Sequence, residues 1–247
     1  MRRREPKGNH TKDKDRGAEA VIAAKAADPI LIYNTLRGHF GHRGWWPGET
    51  PSEVFIGAVL TQQTTWKNVE KAIANLRDAG CLSMERIADA RIGELERLIR
   101  PSGYYRQKAR RLRNLCRSIV GEYGSLKGLL ILEKRALREA LLSYSGIGKE
   151  TADSIVLYAA NKPAFVIDAY TKRAMHRINP EMPEDIEYDR LQEYFERSVK
   201  RRLDLYKDFH AQFVELGKNY CRKRDPLCGR CPLRDMCSTG ISRKNGA

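Results

Sequence analysis

Four cysteines near the C-terminal end, Cys221, Cys228, Cys231 and Cys237, follow the pattern Cys-x6-Cys-x2-Cys-x5-Cys. Thiolates grouped this tightly are metal ligands, and four of them suit a tetrahedral zinc ion or a [4Fe–4S] cube. A zinc ribbon sets two Cys-x2-Cys knuckles across a longer gap. Only one such knuckle exists here, so the spacing leans towards the cube while leaving both open. Pro226 and Pro232 stiffen the loop and Gly229 allows a tight turn. Arg222, Lys223 and Arg224 lie between the first two ligands, so the metal reads as architectural, bracing a loop that offers three cations to a phosphate backbone. Upstream, Gly146-Ile147-Gly148 separates a helical run with Leu137, Leu141 and Leu142 from another with Ala152, Ile155, Val156 and Ala159. Glycines at a helix start let backbone N–H groups approach a phosphate closely. Further on, Asp168 stands directly behind Ala164-Phe165-Val166-Ile167, with Lys172 and Arg173 just after it. Its carboxylate should be partly dry. In isolation it would cap a helix starting at Ala169, a place compatible with a catalytic role.

The elements that must position these residues are helical. From residue 20 to residue 121 apolar side chains recur at spacings of three and four (Ile30, Tyr33, Leu36 and Phe40; Val69, Ala72, Ile73 and Leu76; Leu112, Leu115 and Ile119), and period-two alternation is missing. Prolines at 47, 51, 101, 163, 180 and 183 punctuate the runs. The pattern predicts an all-α fold of about nine or ten helices joined by short turns. Residues 1–18 carry seven basic and three acidic side chains without apolar periodicity and read as a disordered basic arm.

Among the 247 residues, 46 Lys and Arg face 31 Asp and Glu, a formal charge of +15 that makes a polyanion the first partner to expect. Residues 100 to 117 hold seven basic side chains and no acid: Arg100, Arg106, Lys108, Arg110, Arg111, Arg113 and Arg117. A solvated helix mixes signs, so an unmixed stretch is expected to turn much of its charge towards DNA. The sequence carries no run long enough for a membrane span and no apolar segment behind its N-terminal charges, so a cytoplasmic, nucleoid-associated protein is expected.

The hairpin, the downstream Val166-Ile167-Asp168 and the cysteine loop, in this order, resemble the helix-hairpin-helix DNA glycosylases of the endonuclease III superfamily, from about Ala27 to Cys237. Leu60-Thr61-Gln62-Gln63-Thr64 resembles that family's strand-separating motif, and Gly103-Tyr104-Tyr105-Arg106-Gln107-Lys108-Ala109 its stack-wedging loop. The resemblance implies a helical bundle (51–163, with the hairpin at about 135–161) beside a cluster-containing domain (19–50 and 164–247), with the site in the cleft between them. It also implies base excision from double-stranded DNA by a monomer, a [4Fe–4S] cofactor on the four cysteines, and DNA contacts from Gln63, Tyr104, Gly146, Gly148, Lys149, Arg222, Lys223 and Arg224. Gln63 and Tyr104 would fill the gap left by a flipped nucleotide.

Members of the family that cleave the backbone carry a lysine two residues after the second hairpin glycine. Here that residue is Glu150, which offers no amine for a Schiff base, while Lys149 faces about 100° away around the helix. A monofunctional glycosylase follows, with Asp168 stabilising an oxocarbenium-like sugar and orienting a water. Gly146 to Asp153, Arg100 to Tyr105 and Trp45-Trp46-Pro47 resemble 3-methyladenine DNA glycosylase III most. That enzyme lacks the cluster and carries a modified lysine in a Phe-His-x-Lys segment, which reads Phe209-His210-Ala211-Gln212 here. Trp45, Trp46 and Trp66, all three tryptophans of the chain, are expected to form an aromatic slot for an alkylated purine, whose charge adds roughly 0.5–2 kcal/mol of cation–π attraction. The alternatives are a uracil, mismatched-thymine or oxidised-pyrimidine glycosylase with lyase activity, and a silent DNA-structure-binding module.

Overall fold

The computed structural model describes residues 28–43 and 48–245, so the basic arm at 1–18 and the pair Trp45 and Trp46 lie outside the described residues. Thirteen α-helices and no strand occur among them. They are α1 (Pro29–Phe40), α2 (Pro51–Leu60), α3 (Trp66–Asp78), α4 (Met84–Asp89), α5 (Ile92–Leu98), α6 (Tyr105–Tyr123), α7 (Leu126–Leu130), α8 (Lys134–Ser143), α9 (Lys149–Ser154), α10 (Ala169–Ile178), α11 (Tyr188–Ser198), α12 (Leu203–Asn219) and α13 (Ser238–Asn245). The all-α expectation stands, but the count exceeds nine or ten because α4, α5, α7 and α9 have five to seven residues each, too short for a periodicity window to separate. None of the described helices is long and apolar enough to cross a membrane.

Local chemistry explains many boundaries. Thr50, Ser83, Ser125 and Asp168 each accept a hydrogen bond from the N–H three residues on, and Pro29 and Pro51 occupy first helical positions. Gly124 closes α6 with φ 73°, a conformation that suits glycine.

The chain divides into two compact units. The described residues of one are 28–42, 168–199 and 212–245; the other holds 43–167 and 200–211, less the four undescribed positions. In the first, Ile32, Leu36, Leu191, Phe195 and Phe213 are fully buried, with the rings of Phe195 and Phe213 packed edge to face. In the second, Phe55, Ile56, Leu60, Leu76, Leu112 and Val156 form the core, and Phe165 meets Tyr206 and Phe209 edge-on. Cys81 and Cys116 are buried in this second unit, where loss of water pushes both thiols above their ordinary range.

The hairpin of the second unit is α8, the turn at residues 144–148 and α9. Arg138 on α8 grips Asp153 on α9 in a two-pronged pair, Nε to Oδ1 at 2.8 Å and Nη2 to Oδ2 at 3.1 Å, with the Asp153 side chain wholly buried. Beyond α9 the helix continues as a π-turn, Ile155–Ala159, in which the Ala160 N–H reaches back five residues to the Ile155 carbonyl. Replacing Arg138 by Met leaves a buried carboxylate without its guanidinium and should cost about 3–5 kcal/mol, whereas replacing both partners by apolar residues should restore most of it. Urea unfolding midpoints of the single and double variants measure the difference.

Candidate functional site

Three segments of the second unit converge on a hollow of about 270 Å³, whose lining includes Gln62, Gln63, Tyr104, Lys108, Arg111 and Gly146. The first segment follows α2, the second precedes α6 and the third is the hairpin turn. Gln63 (φ 55°) and Tyr104 (φ 45°) both have left-handed backbone, which costs a non-glycine residue roughly 1–3 kcal/mol and persists only where the surroundings enforce it. Both are exposed, Tyr104 by 67%. Gln62 ties the first segment to the third: its Nε2 donates to the Gly146 carbonyl at 2.9 Å and to Thr151 Oγ1 at 3.4 Å. Gly146 has φ 89° and needs to be glycine; Gly148 is the N-cap of α9 with ordinary backbone and open space around its Cα. Lys149 and Glu150 follow on the exposed first turn of α9.

Of the seven basic side chains at 100–117, five are exposed, Arg113 is half-buried and Lys108 is buried. Lys108 is buried and donates to the Leu60 and Ser102 carbonyls at 2.9 and 2.7 Å. Arg117 Nε donates to the Ala88 carbonyl at 2.7 Å and Arg113 Nη1 to that of Ala90 at 3.5 Å, both at the C-terminal end of α4. These three supply donors to helix ends, Arg117 while staying exposed like Arg100, Arg106, Arg110 and Arg111. Burial also lowers the affinity of Lys108 for its proton.

In the other unit, Asp168 is the N-cap of α10 and only 7% exposed. Its Oδ1 accepts from the Thr171 N–H at 2.7 Å and from Thr171 Oγ1 at 2.8 Å, and the helix start favours a negative charge there. Lys172 and Arg173 spend their donors elsewhere, on the Ile186 and Cys221 carbonyls. The ring of Tyr170 packs where a Cβ on Gly217 would stand, at 2.2 Å from Cδ1, so this part of α12 must carry glycine. Burial, followed by the charge of Asp168, raises the Tyr170 hydroxyl above its ordinary range.

Trp66 opens α3, half-buried over a hollow of about 110 Å³ in the second unit that it shares with Glu53, Glu70, Ile73 and Arg77. Its indole N–H donates to Glu70 at 2.9 Å. Gln212, standing for the lysine of the Phe-His-x-Lys segment, is fully buried, with Nε2 donating to the Gly41 carbonyl at 2.7 Å.

Cys221, Cys228, Cys231 and Cys237 line one hollow together with Arg177 and Tyr220. Arg177 donates to Cys221 Sγ at 3.3 Å and to the carbonyls of Arg222 and Lys223, and it fixes the loop whose side chains Arg222, Lys223 and Arg224 are exposed. Among the described residues no group of three or more His, Cys, Asp or Glu side chains is placed to hold a single metal ion. Four half-buried thiols around one hollow are a donor set that either a tetrahedral zinc or a [4Fe–4S] cluster can take. Lys108, Gln62 and Gln212 escaped sequence reasoning: a lysine within a basic run and a glutamine beside another carry no mark of burial.

An all-helical fold with a Gly-x-Gly hairpin, and a buried acid capping the helix that follows it, defines the helix-hairpin-helix class of base excision enzymes. The chain belongs to the HhH-GPD superfamily of base excision DNA repair proteins, whose model matches residues 56–201. It is 45% identical over 208 residues to a provisionally named DNA repair glycosylase of Methanocaldococcus jannaschii, covering 83% of this chain and 94% of that one. To the endonuclease III of Thermotoga maritima it is 32% identical over 201 residues, covering 79% and 86%. Among solved structures, the H. pylori 3-methyladenine DNA glycosylase MagIII bound to 1,N6-ethenoadenine is similar at TM-score 0.69 and 31% identity, covering 78% of this chain and 98% of that one. A non-covalent endonuclease III–DNA complex shares the fold at TM-score 0.74 and 23% identity, covering 87% and 96%.

Beneath Trp66, burial opposes the charge on Glu53, but the Arg77 guanidinium and the backbone of Glu49 and Thr50 outweigh it and hold the carboxyl below its ordinary value of 4.5. A folded-state value below the unfolded one stabilises the fold above about pH 4.5, and that contribution is lost as pH falls through the lowered value. Glu53→Gln should therefore lower the melting temperature at neutral pH and flatten its fall on acidification. Thermal melts from about pH 7 to pH 3 check both.

Proposed function

We propose that this glycosylase is monofunctional and removes alkylated purines from double-stranded DNA. The observation that carries the first half is Glu150: two residues after Gly148, on the exposed first turn of α9, a carboxylate stands where an imine-forming enzyme needs an amine. The second half is supported by the likeness to MagIII, named for 3-methyladenine and bound to an ethenoadenine. Trp66 supports it too, as an indole over a hollow lined by Glu70 and by the paired Glu53 and Arg77, where a cationic ring would meet an aromatic face. Trp45 and Trp46 complete the aromatic slot in this reading. Gln212 is engaged with the Gly41 carbonyl, so recognition rests on the tryptophans rather than on an ionic group at 212.

Base release then needs little from the protein. A purine alkylated on a ring nitrogen is already positively charged and departs without being protonated. Asp168, dry and held by Thr171, stabilises the positive charge that grows on the sugar as the N-glycosidic bond lengthens, and orients the water that takes the base's place. Gln63 and Tyr104 fill the vacated stack. Backbone N–H groups after Gly146 and Gly148, with Lys149, hold phosphates on one flank, and Arg222, Lys223 and Arg224 do so from the cysteine loop.

A panel of duplexes carrying 3-methyladenine, 1,N6-ethenoadenine, uracil or an oxidised pyrimidine tests the assignment. Free alkylated purine should be released, Asp168→Asn should bind with unchanged affinity yet release base about 10²–10³-fold more slowly, and borohydride should trap no protein–DNA adduct. Release of uracil alone would refute the lesion class, and a trapped adduct would refute monofunctional action.

The four cysteines are assigned to a [4Fe–4S] cluster, whose contribution when bound is to brace residues 221–237. Protein purified without oxygen should contain about four iron and four sulfide per chain, with absorption near 400 nm. One zinc per chain and no sulfide would overturn this.

A further inference from the structure

We propose that Lys108 is a positioning residue that sets the two gap-filling residues, Gln63 and Tyr104, as a coupled pair. The proposal rests on the reading of those two side chains as gap-fillers and goes beyond it by naming what aims them.

Lys108 lies on the first turn of α6 with its side chain buried, and its ammonium group reaches two separate pieces of backbone. One is the carbonyl of Leu60, the last residue of α2, three residues before Gln63; the other is the carbonyl of Ser102, two residues before Tyr104. Its own backbone N–H donates to the Tyr104 carbonyl at 3.0 Å. The Gly103–Tyr104 turn is thus bracketed on both sides by one residue, and the same residue anchors the root of the Gln63 turn.

Neither turn would hold its shape unaided. Gln63 and Tyr104 both sit in left-handed backbone, which relaxes unless the flanking chain is fixed. The carbonyl ending α2 lies at the negative end of a helix, where a cation is favoured. An ammonium can point its three donors at acceptors from different segments, whereas a planar guanidinium is committed to one fork. Burial makes Lys108 a poor phosphate ligand, since both its identified partners are carbonyls of the protein. Gln107 and Arg111, which also line the hollow, are exposed and carry that role better.

The experiment uses the full chain and a duplex in which 2-aminopurine flanks a stable abasic analogue, so that neither lesion choice nor Asp168 chemistry enters the readout. Fluorescence reports how far the stack is opened, and titrations at several salt concentrations report phosphate contacts. Lys108→Met keeps the aliphatic stem and removes the donors. It should lower the opened fraction about tenfold in an otherwise unchanged chain, and by nothing further in a Gln63→Ala/Tyr104→Ala background. The slope of log K against log salt should stay at the wild-type value, whereas Arg111→Met should reduce it by about one. A normal opening signal in Lys108→Met, with loss in Gln63→Ala/Tyr104→Ala, overturns the Lys108 assignment alone. No loss in Gln63→Ala/Tyr104→Ala sinks the gap-filler reading and the coupling with it. A salt slope reduced by one in Lys108→Met makes it a phosphate ligand and refutes positioning. If Lys108→Met does not fold, Lys108→Arg decides: folded and as impaired in opening as Gln63→Ala/Tyr104→Ala supports the proposal, and folded with normal opening overturns it.

Discussion

The thirteen α-helices among the described residues have many C-terminal ends, and each leaves carbonyls that the helix itself cannot satisfy. In this chain long basic side chains answer that need again and again. Lys108 serves the end of α2, Arg117 and Arg113 the end of α4, and Lys162 the Leu130 carbonyl that ends α7. In the other unit Lys172 and Arg173 reach the Ile186 and Cys221 carbonyls, and Arg177 holds the backbone of residues 222 and 223. These seven cations are bound to the protein's own acceptors. Lys149 and Arg222 to Arg224 stand on exposed turns.

That division explains which parts of the molecule could be read from the residues alone. Apolar spacing revealed the long helices, and the cap at Asp168 was visible as a residue type. Burial of Asp168 followed from the four apolar residues before it, because a chain segment that dry carries its successor inward. The short helices were lost because five to seven residues span barely two turns. The burial of Lys108 within the basic run at 100–117 was illegible for a different reason: whether a lysine faces water or a carbonyl depends on which helix end lies opposite, and that is a tertiary fact. Lys108 and Arg110 are indistinguishable in the sequence and opposite in the structure.

Around Asp168 the requirements of folding and of chemistry coincide. A cap needs a hydrogen-bond acceptor close to the first N–H groups of a helix, and the proposed stabilisation of a cationic sugar needs a charged acceptor away from bulk water. Thr171 fixes Oδ1 with two donors, and Tyr170 is seated against Gly217 one turn of packing away. The carboxylate is thus fixed by the start of a ten-residue helix rather than by a flexible loop. Rigid placement of this kind lowers the reorganisation that accompanies charge formation.

The seclusion of Cys81 and Cys116 bears on the chemistry of the six sulfurs as a set. With their thiols pushed up by burial, these two have little of the nucleophilic thiolate form. The chain therefore divides its cysteines into two buried ones in the helical core and four half-buried ones in the terminal loop, where burial also pushes Cys231, to about 11, and Cys237 upward.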